Sequence, residues 1–82
     1  MSNILNAIIK NDVEALSIHI DEVSLTNLRD AIVFGRIHMI PIIIRYIKNR
    51  EHFVDTIVKQ IDFAYKTEEI AIVEVIIRSI IT

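Results

Sequence analysis

One glycine, Gly35, and one proline, Pro41, serve all 82 residues of this chain. An all-β chain of this length needs turn residues every few positions, and Gly and Pro are the strongest of them. Their scarcity predicts helices joined by short connections. The length allows one domain, residues 1–82, with no room for a separate catalytic or regulatory one. The 52% hydrophobic content suits a packed core. A core this small gives modest stability. There is no Cys, which excludes a disulfide framework and a zinc–thiolate site and fits an intracellular chain.

The formal net charge of −2 does not draw the molecule as a whole to nucleic acid or to an anionic membrane. Met1-Ser2-Asn3 lacks the basic start and apolar run of a secretory signal. The most apolar stretch, from Met39 to Ile44, is closed by Arg45 and is far shorter than the roughly 20 residues of a membrane span. A cytoplasmic protein is expected, with no membrane association.

Helical spacing is visible along the whole chain. Leu5, Ile8 and Ile9 share a face, and Asn11-Asp12 then introduces a second stripe of Val13, Leu16 and Ile20. Asn11 and Asp12 suit the start of that helix. Ser24 or Thr26 can cap a third helix carrying Leu28, Ala31 and Ile32, with Gly35 at its left-handed end. A fourth helix starts near Ile37 or His38 and carries Ile37, Ile40, Ile44 and Ile47. Pro41 then falls in its first turn, where a missing N–H costs little. A fifth runs from about Glu51 to Tyr65 with Phe53, Ile57 and Ile61 on one side, and Thr67-Glu68-Glu69 is expected to cap a sixth carrying Ile70, Val73, Ile77 and Ile80. The abundant β-branched residues favour strands individually. The three-and-four spacing outweighs that preference.

A repeat underlies this pattern. Aligned from Ile4, Leu28 and Ile61, each segment has an alanine three residues on: Ala7, Ala31, Ala64. A break follows at Asn11, Gly35 and Glu68, then a charge at Asp12, Arg36 and Glu69. The second helices match in step, through Leu16, Ile40 and Val73 to Ile20, Ile44 and Ile77, and close on Asp21, Arg45 and Arg78. A small residue at the Ala position lets helices approach closely. One hairpin cannot bury its own apolar face, so the hairpins must stack. The expected units span about 3–23, 24–49 and 50–82.

Asn6-Ala7-Ile8-Ile9-Lys10-Asn11-Asp12-Val13-Glu14-Ala15-Leu16 and Ala31-Ile32-Val33-Phe34-Gly35-Arg36-Ile37 resemble the helix–turn–helix portion of ankyrin repeats. The 33-residue step from Ala31 to Ala64 is also the ankyrin period. The pattern is degenerate. The Thr-Pro-Leu-His opening is absent, and the first step, from Ala7 to Ala31, is 24 residues, which should delete a β-turn finger. Asn6 and Asp30 stand where an apolar residue is usual. The resemblance implies an all-α fold of about six short helices in three stacked antiparallel hairpins, and a role in protein binding without catalysis. A different small helical bundle with similar hairpins remains the alternative architecture.

His19, His38 and His52 would be the acid–base or metal candidates, but they fall in different segments without an i,i+4 His partner. His19 stands where the other units have Ile43 and Ile76, which predicts a partly buried packing residue. Asp21-Glu22 and Glu68-Glu69 read as solvated helix-end charge. No Gly-rich phosphate loop or activated nucleophile can be picked out. No catalytic residue, metal or cofactor is therefore expected. Arg45, Lys48 and Arg50 form a local basic cluster for an anionic contact, although a solvated linker explains it more simply and no aromatic residues interleave with it.

Two surfaces are expected to meet a partner protein. One is the mixed-charge row Asp12, Arg36 and Glu69, at the hairpin tips that ankyrin-like domains use for binding. The other is the apolar C-terminal set Ile76, Ile77, Ile80 and Ile81, which lacks the polar cover a terminal repeat needs. A symmetric homodimer is the simplest way to cover it. The expected function is a small adaptor or inhibitor, with a phage or virus as its expected source. A dimeric regulator contacting nucleic acid through the basic cluster is the alternative.

Overall fold

Three residues in the left-handed region divide the chain where its repeat does: Asn11 (φ 55°), Gly35 (φ 67°) and Glu68 (φ 61°). Each closes the first helix of a pair with the same two hydrogen bonds. The N–H groups of Asn11 and Asp12 donate to the carbonyls of Ile8 and Ala7, at 3.1 and 2.9 Å. Gly35 and Arg36 donate to Ile32 and Ala31 at 3.0 and 2.8 Å, and Glu68 and Glu69 to Tyr65 and Ala64 at 3.1 and 2.8 Å. This is the Schellman turn, which satisfies carbonyls that a helix C-terminus leaves open. The three aligned alanines are thus the acceptors of the outer bond, and all three are buried.

The structure, a computed structural model, describes residues 2–81; Met1 and Thr82, at the bounds of the expected domain, lie outside them. It is all-helical among those residues, with six α-helices: α1 Asn3–Lys10, α2 Val13–Ile18, α3 Leu25–Val33, α4 Met39–Tyr46, α5 Phe53–Lys66 and α6 Ile70–Ile81. A 3-10 turn, Ile20–Glu22, follows α2. The helix ends explain why the elements start where they do. Ser2 caps α1 through Leu5 N–H, and Asp12 caps α2 through Ala15 N–H. Ser24 heads α3 in a capping box with Asn27, whose Oδ1 accepts from the Ser24 backbone N–H at 2.9 Å. Asn27 is the one polar residue buried among the described residues, and the box satisfies its Oδ1.

Several boundaries differ from expectation. Asn11 ends α1 and leaves the capping of α2 to Asp12. Thr67 does not cap α6. Its hydroxyl donates back to the Phe63 and Ala64 carbonyls, at 3.1 and 3.2 Å, inside the last turn of α5. The α4 helix begins at Met39, which leaves Ile37 in the preceding turn and places Pro41 in the first turn as expected. Ile47 lies just past α4 and is buried all the same.

Within each consecutive pair the helices pack together: α1 on α2, α3 on α4 and α5 on α6. Between pairs, α1 meets α3 and α3 meets α5, while the 3-10 turn meets α4 and α4 meets α6. The largest fully buried side chains are Ile4, Ile8, Leu16, Leu28, Ile32, Met39, Ile40, Ile43 and Ile76. All but Ile76 come from α1 to α4. The long helices α5 and α6, of 14 and 12 residues, bury only Ile57, Ala64, Ile72 and Ile76. The core is therefore off-centre, and the last pair of helices is covered on one side.

Candidate interaction surfaces

The expected row of charged tips is taken up in large part by structure. Asp12 is the cap of α2. Arg36 reaches across to the preceding pair: its Nε donates to the Ile8 carbonyl and its Nη2 to the Ile9 carbonyl, both at 2.8 Å. These carbonyls belong to the open C-terminus of α1, where a cation is electrostatically favoured. Glu69 accepts the first helical N–H groups of α6 through its backbone carbonyl, from Ile72 and Val73. Its side chain has no partner among the described residues.

The basic cluster divides in the same way. The Arg50 Nη2 donates to the Ile44 carbonyl at 2.9 Å, and its guanidinium lies 4.4 Å from the centre of the Phe53 ring. Lys48 faces Asp21 at 3.7 Å. Arg45 is exposed and makes no hydrogen bond or ion pair among the described residues. Arg45 and Arg50 border a groove of about 720 Å³ with Tyr46, Phe53 and Ser79, and no acidic side chain lines it.

The histidines lie in separate places. His19 follows the end of α2 with its Nδ1 3.2 Å from Glu22. It is half-buried, as its alignment with Ile43 and Ile76 predicts, but less so than they are. The reason is that α2 stops at Ile18 and the 3-10 turn begins directly after His19. His38 precedes α4, and His52 precedes α5 in a left-handed conformation. Among the described residues no group of three or more His, Asp or Glu is placed to hold a metal ion. No helix there is long and apolar enough to cross a membrane.

The C-terminal apolar set is partly corrected. Ile76 is fully buried and belongs to the core, whereas Ile77, Ile80 and Ile81 are exposed. The exposed face also extends onto α5, which the sequence pattern did not single out. Val54, Val58, Ile61 and Tyr65 recur at steps of four, three and four, which at ~100° per residue makes one stripe. That stripe lies opposite the side that carries Thr56, Lys59 and Gln60, which share a groove with Leu25, Thr26 and Arg29 of α3. On α6, Ile70, Ile77 and Ile81 form a stripe opposite Val75 and Ser79, which share a groove with Pro41 of α4. Both stripes thus turn away from α3 and α4, except that Ile61 packs against the core. Together they make one apolar end face.

Val54, Val58, Tyr65, Ile70, Ile77 and Ile81 are each between 44% and 75% exposed, while Ile80 lines the groove beside Arg45 and Phe53. Ion pairs border them on both helices, Lys66–Asp62 on α5 at 2.9 Å and Arg78–Glu74 on α6. The signal for this face was present in the α5 spacing. It was hidden because a helical apolar stripe reads as core until the neighbouring helices are placed.

Compared with protein-family models, curated proteins and solved structures, the chain matches no family, no curated protein and no solved structure.

Proposed function

We propose that this chain is a non-enzymatic protein-interaction module, a small adaptor or inhibitor that engages another protein through the α5–α6 end face. The observation that carries the reading is that face: two apolar stripes on adjacent helices, turned to solvent and rimmed by charge. Contiguous exposed apolar surface beyond a few hundred Å² marks interaction sites on small proteins. The scaffold in this reading is a short ankyrin-like stack of three antiparallel hairpins. Support for it comes from three identical Schellman turns at the repeat breaks and from the two rows, α1–α3–α5 and 3-10 turn–α4–α6. Cytoplasmic action and a phage or viral source complete the proposal.

The test is an affinity pull-down from the native host with the 82-residue chain, Val58→Glu and Arg45→Glu. A partner captured by the wild type and by Arg45→Glu but lost with Val58→Glu supports the reading. Equal capture by all three chains moves the binding site elsewhere.

A further inference from the structure

We infer that the α5–α6 end face is covered by the same face of a second copy of this chain, in a two-fold homodimer. The inference rests on that face being the interaction surface proposed above: a second copy holds it in the free protein, and a target protein takes that copy's place. Two observations favour a second copy. First, area: a fully exposed Val, Leu or Ile side chain offers roughly 100 Å² of apolar surface, from its transfer energy at about 25 cal/mol/Å². The six side chains of the two stripes, exposed by 44–75%, therefore present on the order of 400 Å². Interfaces are about 56–65% apolar, so with its polar rim the face would come to roughly 600–700 Å². That falls within the roughly 600–1,000 Å² that each partner contributes to an interface of standard size.

The second is the opposite end of the helix rows. There the α1–α2 hairpin mixes exposed Ile9, Val13 and Ile18 with exposed Asn3, Asn6, Lys10 and Glu14. Head-to-tail stacking would press the apolar face onto those polar groups. The isologous arrangement pairs apolar surface with apolar surface and closes after two copies.

Sedimentation equilibrium on the wild type, Val58→Glu, Ile77→Glu and Ile18→Glu tests this. Ile18 is 72% exposed, on α2 and away from the face. The wild type and Ile18→Glu should be dimers at tens of micromolar. Val58→Glu and Ile77→Glu should dissociate at least about 30-fold more readily, since each buries an unpaired charge twice across the axis. Both residues are exposed in the monomer, so helical circular dichroism should be unchanged.

Because the chain has no Cys, single-cysteine variants give an independent readout. Oxidation should link dimers in at least one of Val58→Cys, Ile77→Cys and Ile81→Cys, and in Ile18→Cys not at all. A wild type that is monomeric throughout, or a dimer untouched by both Glu substitutions, overturns the inference. A monomeric wild type that still loses a host protein on Val58→Glu would overturn the second copy while leaving the binding function standing.

Discussion

The Arg36 side chain closes the C-terminus of α1 by donating from Nε to the carbonyl of Ile8 at 2.8 Å, 28 residues earlier in the chain. The same residue's backbone N–H closes α3 on the Ala31 carbonyl. One residue therefore finishes two helices in adjacent pairs, and its charge is directed inward along the scaffold. Arg36→Ala should destabilise the fold by about 1–3 kcal/mol, because the Ile8 and Ile9 carbonyls lose a charged donor in a half-buried setting. Urea unfolding measures this. Arg36→Lys should recover only part of the loss, since an ammonium cannot reproduce the guanidinium fork. An unchanged midpoint in Arg36→Ala would return this residue to the pool of free tip charges.

The three Schellman turns carry different residues in one conformation. Glu68 pays a left-handed penalty that Gly35 does not. Glu68→Gly should stabilise the protein by about 0.5–1 kcal/mol, and Gly35→Ala should destabilise it by about 1 kcal/mol. A Cβ at position 35 would meet nothing within 4 Å, so that loss is entirely backbone strain. Thermal melts of the two variants should move in opposite directions.

The capping box at α3 gives a separate prediction. Ser24→Ala removes the hydroxyl that accepts from the Asn27 N–H and leaves the buried Asn27 amide with fewer partners. The cost should be about 1–2 kcal/mol in chemical denaturation. Thr26→Ala, next to it on the exposed side of α3, should change stability by less than about 0.5 kcal/mol.

Within the basic cluster, Arg50 and Arg45 should part company. Arg50→Ala loses the bond to Ile44 and the contact with Phe53 and should cost about 1–2 kcal/mol. Arg45→Ala should leave stability within about 0.5 kcal/mol of wild type. Mixed with DNA or RNA at low salt, the wild type should show no mobility shift, because two of the three cations are engaged within the protein. A shift that weakens steeply with added salt and disappears in Arg45→Ala would instead favour the nucleic-acid reading.

Much of this architecture is local and so could be read from the residues. The aligned Ala7, Ala31 and Ala64 and the breaks at Asn11, Gly35 and Glu68 marked the three Schellman turns. Asn11-Asp12 and the choice of Ser24 or Thr26 announced helix starts, with the caps falling on Asp12 and Ser24, because caps depend on side chains within three residues of the backbone they bind. Thr67 was ambiguous. A Thr before two Glu suits a helix start, but a hydroxyl can equally bond back into the turn behind it, and the left-handed Glu68 decided in favour of the latter.

What lies outside that local reach is which apolar stripe meets which. Helical spacing identified Ile76, Ile77, Ile80 and Ile81 together, yet packing against α4 and α5 buried the first and left the others in solvent. The spacing of Phe53, Ile57 and Ile61 marked the side of α5 that packs on the core, whereas exposed Val54, Val58 and Tyr65 were not singled out until α3 was placed on the far side of α5. Likewise Arg36 looked like a free tip until folding brought the end of α1 beside it. By itself the sequence determined where helices begin, where they end and which faces are apolar, because hydrogen bonding and spacing act within a few residues. Tertiary structure alone decided which of those faces found a neighbour, because burial depends on residues far apart in the chain.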